Sequence, residues 1–210
     1  MKNAGGIGSM SIERRILGRR RAEPLIGPNA VLKTVEVMEE RLGHAETAAI
    51  LADAQITRVP SGEHMIPEAE ALRLHRWLAL HDPMGALVIA EEAGARTADY
   101  IIANRIPRAA CWLLRRLPAR LAAPLLMAAI RKHAWTFVGA GAFASADAWH
   151  FTIDRAPARD RLPPSDSLFA WYGAVFTRLY RELVTPACTC RMVEPDVPCD
   201  MARSYAITPG

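Results

Sequence analysis

Three cysteines near the C-terminus offer the first chemistry in this chain: Cys188 and Cys190 flank a single threonine, and Cys199 follows closely. Thiolates at such spacing ligate soft cations such as zinc, and free thiols respond to oxidants. Three sulfurs are one ligand short of a closed tetrahedral zinc site, which Glu194, Asp196 or a distant histidine would have to complete. A cluster of reduced thiols is the competing reading. Cys111, alone in a Leu-rich segment, reads as a small core residue.

Asp99 and Tyr100, within Arg96-Thr-Ala-Asp-Tyr100, form a second group: a carboxyl and a phenol able to handle a proton. A helix-surface ion pair accounts for Asp99 as well. The third group surrounds Gly139-Ala-Gly141, where His133, Trp135 and Phe137 precede the glycines and Trp149 follows. Trp149, Phe151, Trp171 and Tyr172 could line a flat apolar pocket, although aromatics at strand and helix spacing usually build cores. His75, beside Arg73 and Arg76, and His64 in a loop are further titratable candidates.

Charge singles out one more stretch. Between Tyr100 and Ala146 there is no acidic residue, whereas Arg105, Arg108, Arg115, Arg116, Arg120, Arg131 and Lys132 all fall there, in a chain of net charge only +4. Such a field attracts phospholipid headgroups, propionate-bearing tetrapyrroles or nucleic acid, or it is a set of solvated helix faces. No recognition-helix motif accompanies it, so nucleic acid is not an expected partner.

The elements that must position these groups are mostly helical. Gly27-Pro28-Asn29 opens a helix through Leu42, stopped by Gly43, and a short helix covers Glu46 to Ala54. Pro67 with Glu68 and Glu70 begins another, with Ala71, Leu74 and Leu78 on one face. Pro83 starts the longest, whose Leu87, Ala90, Gly94, Ala98 and Ile101 share a face small enough for close helix packing. On its other face Glu92 and Arg96 stand four apart. Residues from Arg108 to Lys132 read as a helical hairpin divided at Pro118.

From Trp135 the period changes to two, predicting an antiparallel hairpin over about 135–154 in which the glycines admit a bulky neighbour. A loop over 157–167 leads to a final helix with Leu168, Tyr172, Val175, Leu179 and Leu183 on one face. The tail from Ala187 to Ile207 reads as a second short hairpin, restricted to edge pairing by Pro195 and Pro198. The fold class is therefore α+β: a single, mostly helical domain over 24–210 behind a basic flexible arm over 1–23.

At 210 residues the chain is long enough to bury a full core without disulfides. The apolar run from Leu121 to Ile130, interrupted by Pro124, is shorter than the ~18 residues a membrane span requires. The N-terminus lacks the apolar core of a secretory signal. A cytoplasmic location follows as an expectation, with peripheral contact at the inner membrane open through the basic stretch. There is no Gly-x-Gly-x-x-Gly after a strand, no phosphate loop, no hydrolase elbow and no ferredoxin-type cysteine set.

Several segments together resemble the bacteriochlorophyll 4-vinyl reductase family: Ile26-Gly-Pro-Asn-Ala30, Met65-Ile-Pro-Glu-Ala69 with Arg73-Leu-His75, Arg96-Thr-Ala-Asp-Tyr-Ile101, His133-Ala-Trp-Thr-Phe137, and Ala174-Val-Phe176 with Arg178-Leu-Tyr-Arg181. The resemblance spans 26 to about 186 and implies an α+β domain similar to vesicle-tethering TRAPP subunits. It implies a role in bacteriochlorophyll biosynthesis, binding a divinyl Mg-tetrapyrrole and performing or assisting reduction of its 8-vinyl group. In that setting Asp99 and Tyr100 would handle the proton that ends the reduction. Arg115 and Arg116 would meet propionates, and His133, Trp135, Phe137 and Trp149 would face the macrocycle, His133 as an axial ligand or merely as a partner of its own helix end.

The reductant would come from outside, as NADPH or ferredoxin, and other biosynthetic enzymes or a second copy of the chain are the implied partners. In the wider domain group a cysteine pair commonly closes the domain and in some sensors binds zinc. Cys188, Cys190 and Cys199 occupy that region, with Pro195-Asp196 where glycine is expected and Met201 in place of an aromatic. A non-catalytic small-molecule, metal or redox sensor is the alternative reading.

Overall fold

Glycine and proline punctuation, followed by apolar faces of helical period, sets the order of elements in the computed structural model, which describes residues 23–155, 162–193 and 201–210. The elements are β1 (Leu25–Ile26), α1 (Asn29–Leu42), α2 (His44–Asp53), β2 (Ile66–Pro67), α3 (Glu68–His81), α4 (Pro83–Asn104), α5 (Arg108–Arg116), α6 (Ala119–His133), α7 (Trp135–Val138), β3 (Ala142–Ser145), β4 (His150–Asp154), α8 (Asp166–Leu183), β5 (Thr189–Val193) and β6 (Ala202–Thr208). Most of the basic arm, together with Cys199, Glu194, Asp196, Pro195 and Pro198, lies outside the described residues.

Helix α8 is the centre of the molecule. Ser165 caps its first turn by accepting from the Leu168 amide. One side of α8 packs on α4, the other on the sheet. The contact with α4 is close because Gly94 faces it: a Cβ at Gly94 would lie 2.5 Å from the Trp171 carbonyl oxygen and 2.7 Å from the Ala174 Cβ. Ala90 and Ala98, one turn either side, are fully buried with it. The small-residue face read from the sequence is this helix–helix seam.

The sheet runs β3-β4-β6-β5, antiparallel throughout, with Phe143 opposite Ile153, Phe151 opposite Tyr205 and Cys190 opposite Ile207. Its buried face carries Phe151, Ile153, Tyr205 and Ile207, alternating as period two requires. Phe151 stacks on Phe176 of α8 at 3.9 Å and on Tyr205 at 4.6 Å between ring centroids. Three phenols anchor the layers by donating to main-chain carbonyls: Tyr172 to Phe137, Tyr180 to Ala148 and Tyr205 to Phe169.

Two sequence expectations are corrected. Trp135 to Val138 is helical rather than strand: Phe137 and Val138 both donate to the Ala134 carbonyl, extending the coil of α6 past His133 until Gly139, at φ +55°, ends it. The aromatic alternation there is overridden by tertiary packing, and only Ala142–Ser145 pairs with β4. The two expected hairpins both form, β3 with β4 and β5 with β6, but the second is not confined to edge pairing. β4 and β6 pair with each other, so β6 is an interior strand and β3 and β5 are the two edges.

Candidate functional site

The glycines at 139 and 141 do receive a bulky neighbour, but it is part of the protein. A Cβ at Gly139 would fall 2.5 Å from the Glu68 carboxylate, and one at Gly141 would fall 2.8 Å from the Asp154 carbonyl. Glu68 enters from the first turn of α3 and accepts from the Ala140 amide at 3.2 Å. Its other oxygen takes a close hydrogen bond from Arg155 Nη2, and Arg155 Nη1 donates to the Val138 carbonyl at 2.7 Å. Both side chains are buried, and each compensates the other's charge. This pair locks the α7–β3 turn onto α3. Sequence reasoning missed it, since nothing local marks Glu68 and Arg155 as partners.

His75 is likewise a core residue. Its Nε2 lies 3.2 Å from the Ala30 carbonyl and its Nδ1 2.9 Å from Ser167 Oγ. A carbonyl can only accept, so Nε2 carries the proton and Nδ1 accepts from the serine. Burial holds the imidazole pKa down at about 4, partly offset by the bond to Ala30. The ring ties α1, α3 and α8 together.

A surface groove of about 470 Å³ runs between α4, α8 and β5. α4 contributes Glu92, Arg96 and Asp99; α8 contributes Thr177, Arg178 and Arg181; β5 contributes Cys190 and Arg191. Arg178 Nε donates to Asp99 Oδ1 at 2.8 Å, and its Nη1 lies 3.1 Å from Glu182 Oε1. Glu182 in turn meets Arg115 of α5, through Oε2 at 3.9 Å and through its carbonyl, which accepts from Arg115 Nε at 3.1 Å. Asp99 and Arg115, far apart in sequence, thus belong to one chain of alternating charge. Asp99 raises the Arg178 pKa by direct hydrogen bonding. At the other end Arg96 bridges Glu92 and Glu40, each at 2.5 Å, and Glu92 also accepts from Arg41. These guanidiniums hold the Glu40 and Glu92 carboxyls below the usual range.

The groove gathers some sequence candidates and not others. Asp99 and Tyr100, as neighbours on a helix, point apart: Asp99 faces α8, while the Tyr100 ring lies between Lys33 at 5.9 Å and Arg105 at 5.7 Å. Cys190 is in the groove wall, and Cys188 is buried beneath it, with its carbonyl accepting from Arg181 Nε. Burial pushes the Cys190 thiol up to about 12 and raises Cys188 as well, so both sulfurs are thiols at neutral pH. Among the described residues no three metal-ligating side chains cluster, and Cys199 lies outside them.

The remaining candidates divide. Phe137 packs in the core against Phe143, Tyr172 and Phe176, and Trp149 packs on Tyr180. His133 and Trp135 are exposed on α6 and α7, where the His133 ring contacts the Ala129 carbonyl of its own helix. Arg116 lies over the Trp112 ring at 5.2 Å on the surface of α5. Cys111 is buried, as its Leu-rich setting suggested.

Against this geometry the relatives are informative. The chain is 40% identical over 176 residues to the bacteriochlorophyll synthase 23 kDa chain of Cereibacter sphaeroides, covering 83% of this chain and 85% of the relative. The protein of the same name from Rhodobacter capsulatus is 42% identical over 169 residues, covering 80% and 79%. The chain belongs to the bacteriochlorophyll synthase 23 kDa chain family. That name agrees with the biosynthetic role implied by the sequence motifs, and it does not specify reduction of a vinyl group.

No protein-family model matches the chain. Among solved structures, the fold resembles an Fe(II) unliganded H-NOX protein variant from K. algicida (TM-score 0.56, 11% identity, covering 87% of this chain and 95% of that one). A second H-NOX structure, from work on haem distortion in that family, gives a TM-score of 0.52 at 8% identity and covers 87% and 94%. These likenesses concern the fold alone, an α+β architecture similar to that of H-NOX proteins. No helix of the described residues is long and apolar enough to cross a membrane.

Proposed function

We propose that this protein acts in bacteriochlorophyll biosynthesis by binding a divinyl chlorophyllide-type Mg-tetrapyrrole and performing or assisting its 8-vinyl reduction, as one chain of a larger biosynthetic assembly. The observation that carries the biosynthetic role is the 40% identity to a named chain of bacteriochlorophyll synthase over most of both proteins; the reduction step is our own extension of it. Two further points support it. The motifs around Asp99, His133 and Arg178 resemble 4-vinyl reductases, and an H-NOX protein of the same fold is described by its haem, another tetrapyrrole.

The groove supplies the chemistry such a ligand needs. Arg178, Arg181 and Arg191 on its wall suit a propionate carboxylate, since guanidiniums bind carboxylates through paired N–H donors. Reducing the vinyl group adds a hydride equivalent to one carbon and a proton to the other, turning –CH=CH2 into ethyl. NADPH from outside supplies the hydride directly; with reduced ferredoxin, two one-electron transfers and a second proton from solvent take its place. Asp99, on the same wall, is the residue we assign to the proton, while Tyr100, next to it on α4, faces Lys33 and Arg105 instead. Arg115 acts on Asp99 through Glu182 and Arg178.

Titrating the purified protein with divinyl protochlorophyllide, followed by absorbance and fluorescence with and without NADPH, tests the reading. Saturable binding that yields the monovinyl product on adding NADPH is the result of a reductase. Saturable binding without turnover makes the protein the pigment-holding chain of its assembly. No binding at low micromolar concentration overturns the proposal.

A further inference from the structure

Helices α5 to α7 form a surface that the pigment groove does not use. On α6, Leu121, Leu125, Ala128, Lys132 and then Trp135 of α7 recur at intervals of four and three, the spacing of one helical stripe, and all are exposed. Trp135 is 63% exposed and Trp112 of α5 60%, with Leu113, Leu121 and Leu125 each about half exposed. Large apolar side chains concentrated on consecutive helices mark an interaction surface rather than scattered exposure. The inward faces of the same helices are satisfied: Cys111, Leu114, Ala122, Ala123, Leu126 and Met127 are buried.

Charge decides what covers the outer face. Seven cations and no carboxylate fall between Tyr100 and Ala146 in the sequence, on and beside the helices that carry these apolar residues, and one of the seven, Arg115, is paired with Glu182 of α8. Arg116 stacks on Trp112, and Arg131 and Lys132 occupy the last turn of α6. Leu and Trp flanked by Lys and Arg is the composition of a helix lying in a bilayer interface. There indole rings sit at headgroup depth, basic side chains reach lipid phosphates, and aliphatic residues enter the acyl boundary. We propose that the α5–α7 face docks this protein on an anionic phospholipid surface, with Trp112, Leu121, Leu125 and Trp135 inserted and Arg116, Arg120, Arg131 and Lys132 on the headgroups.

Vesicle co-sedimentation of the full chain without pigment tests this independently of the groove. Binding is expected to phosphatidylcholine vesicles containing about a third phosphatidylglycerol, to weaken at raised ionic strength, and to be absent on pure phosphatidylcholine. Tryptophan emission should shift to the blue on binding. Two exposed-residue variants separate the contributions: Arg116→Glu/Arg120→Glu/Lys132→Glu should lower the partition coefficient roughly a hundredfold, and Leu121→Gln/Leu125→Gln/Trp135→Gln at least roughly tenfold. Circular dichroism of both variants should match the parent. Failure of the parent to bind anionic vesicles at low salt, or binding unaltered in both variants, would overturn the proposal.

Discussion

At the scale of single residues, the groups that fix this molecule are buried and polar. Removing one member of a buried ion pair leaves the other charged and unpaired, at a cost of about 3–5 kcal/mol. Arg155→Met should therefore destabilise the fold by that amount, read as a fall in the urea midpoint, whereas an exposed-pair variant such as Arg41→Ala should change it by roughly 1 kcal/mol or less. His75 adds a pH dependence. Its folded pKa of about 4 lies below the ordinary 6.5, so between those values the unfolded chain binds the extra proton. Stability is complete above about pH 6.5 and falls as the pH drops toward 4, by roughly 3 kcal/mol in all. Urea midpoints across this range, compared with His75→Gln, check it: the slope attributable to this site should vanish in the variant. Little of this was legible in the sequence. His75 and Asp99 were visible as titratable groups, but a sequence does not show that one is sealed in a core and the other faces an arginine across a groove. Glu68 and Arg155 carried no local signal.

Elements were far more legible, because their signals are local. Pro28, Pro83 and Gly43 mark helix ends, and Ala90, Gly94 and Ala98 announced a tight seam that the structure fills with α8. That seam yields a graded prediction. Gly94→Ala places a methyl group against a main-chain carbonyl with no room to yield. It should cost about 1–3 kcal/mol despite alanine's better helix propensity, lowering the melting temperature, while Ala95→Ser nearer solvent should be close to neutral. What misled the sequence reading was α7, where Trp135 and Phe137 alternate like a strand yet continue a helix. Period two over four residues cannot distinguish one helical turn from a strand. The joining of β4 to β6 also had no local signature, since β pairing is decided by side-chain packing across distant segments.

The whole molecule presents two faces of different chemistry, and their separation is testable. The groove between α4, α8 and β5 offers arginines interleaved with carboxylates, suited to one anionic ligand edge. The α5–α7 helices carry exposed Leu and Trp together with cations and no acidic residue of their own, suited to an extended anionic interface. If the proposed roles are distinct, they should fail separately. Arg178→Glu opposes Asp99 with a like charge and removes a guanidinium from the groove, so pigment affinity should fall at least roughly tenfold, the loss of a charge-assisted hydrogen bond, with vesicle binding unchanged. The triple charge reversal on α5 and α6 should do the converse, sparing pigment affinity in detergent-free buffer and lowering vesicle partitioning roughly a hundredfold. Arg115 sits between, bonded to Glu182 and exposed beside the basic face. Arg115→Ala should weaken both, because Arg115 connects the Asp99–Arg178–Glu182 chain to α5, part of the proposed docking face. A bilayer that draws Arg115 toward its headgroups would loosen Glu182 and Arg178, and pigment titrations with anionic vesicles present should then differ from those without them only when Arg115 is intact.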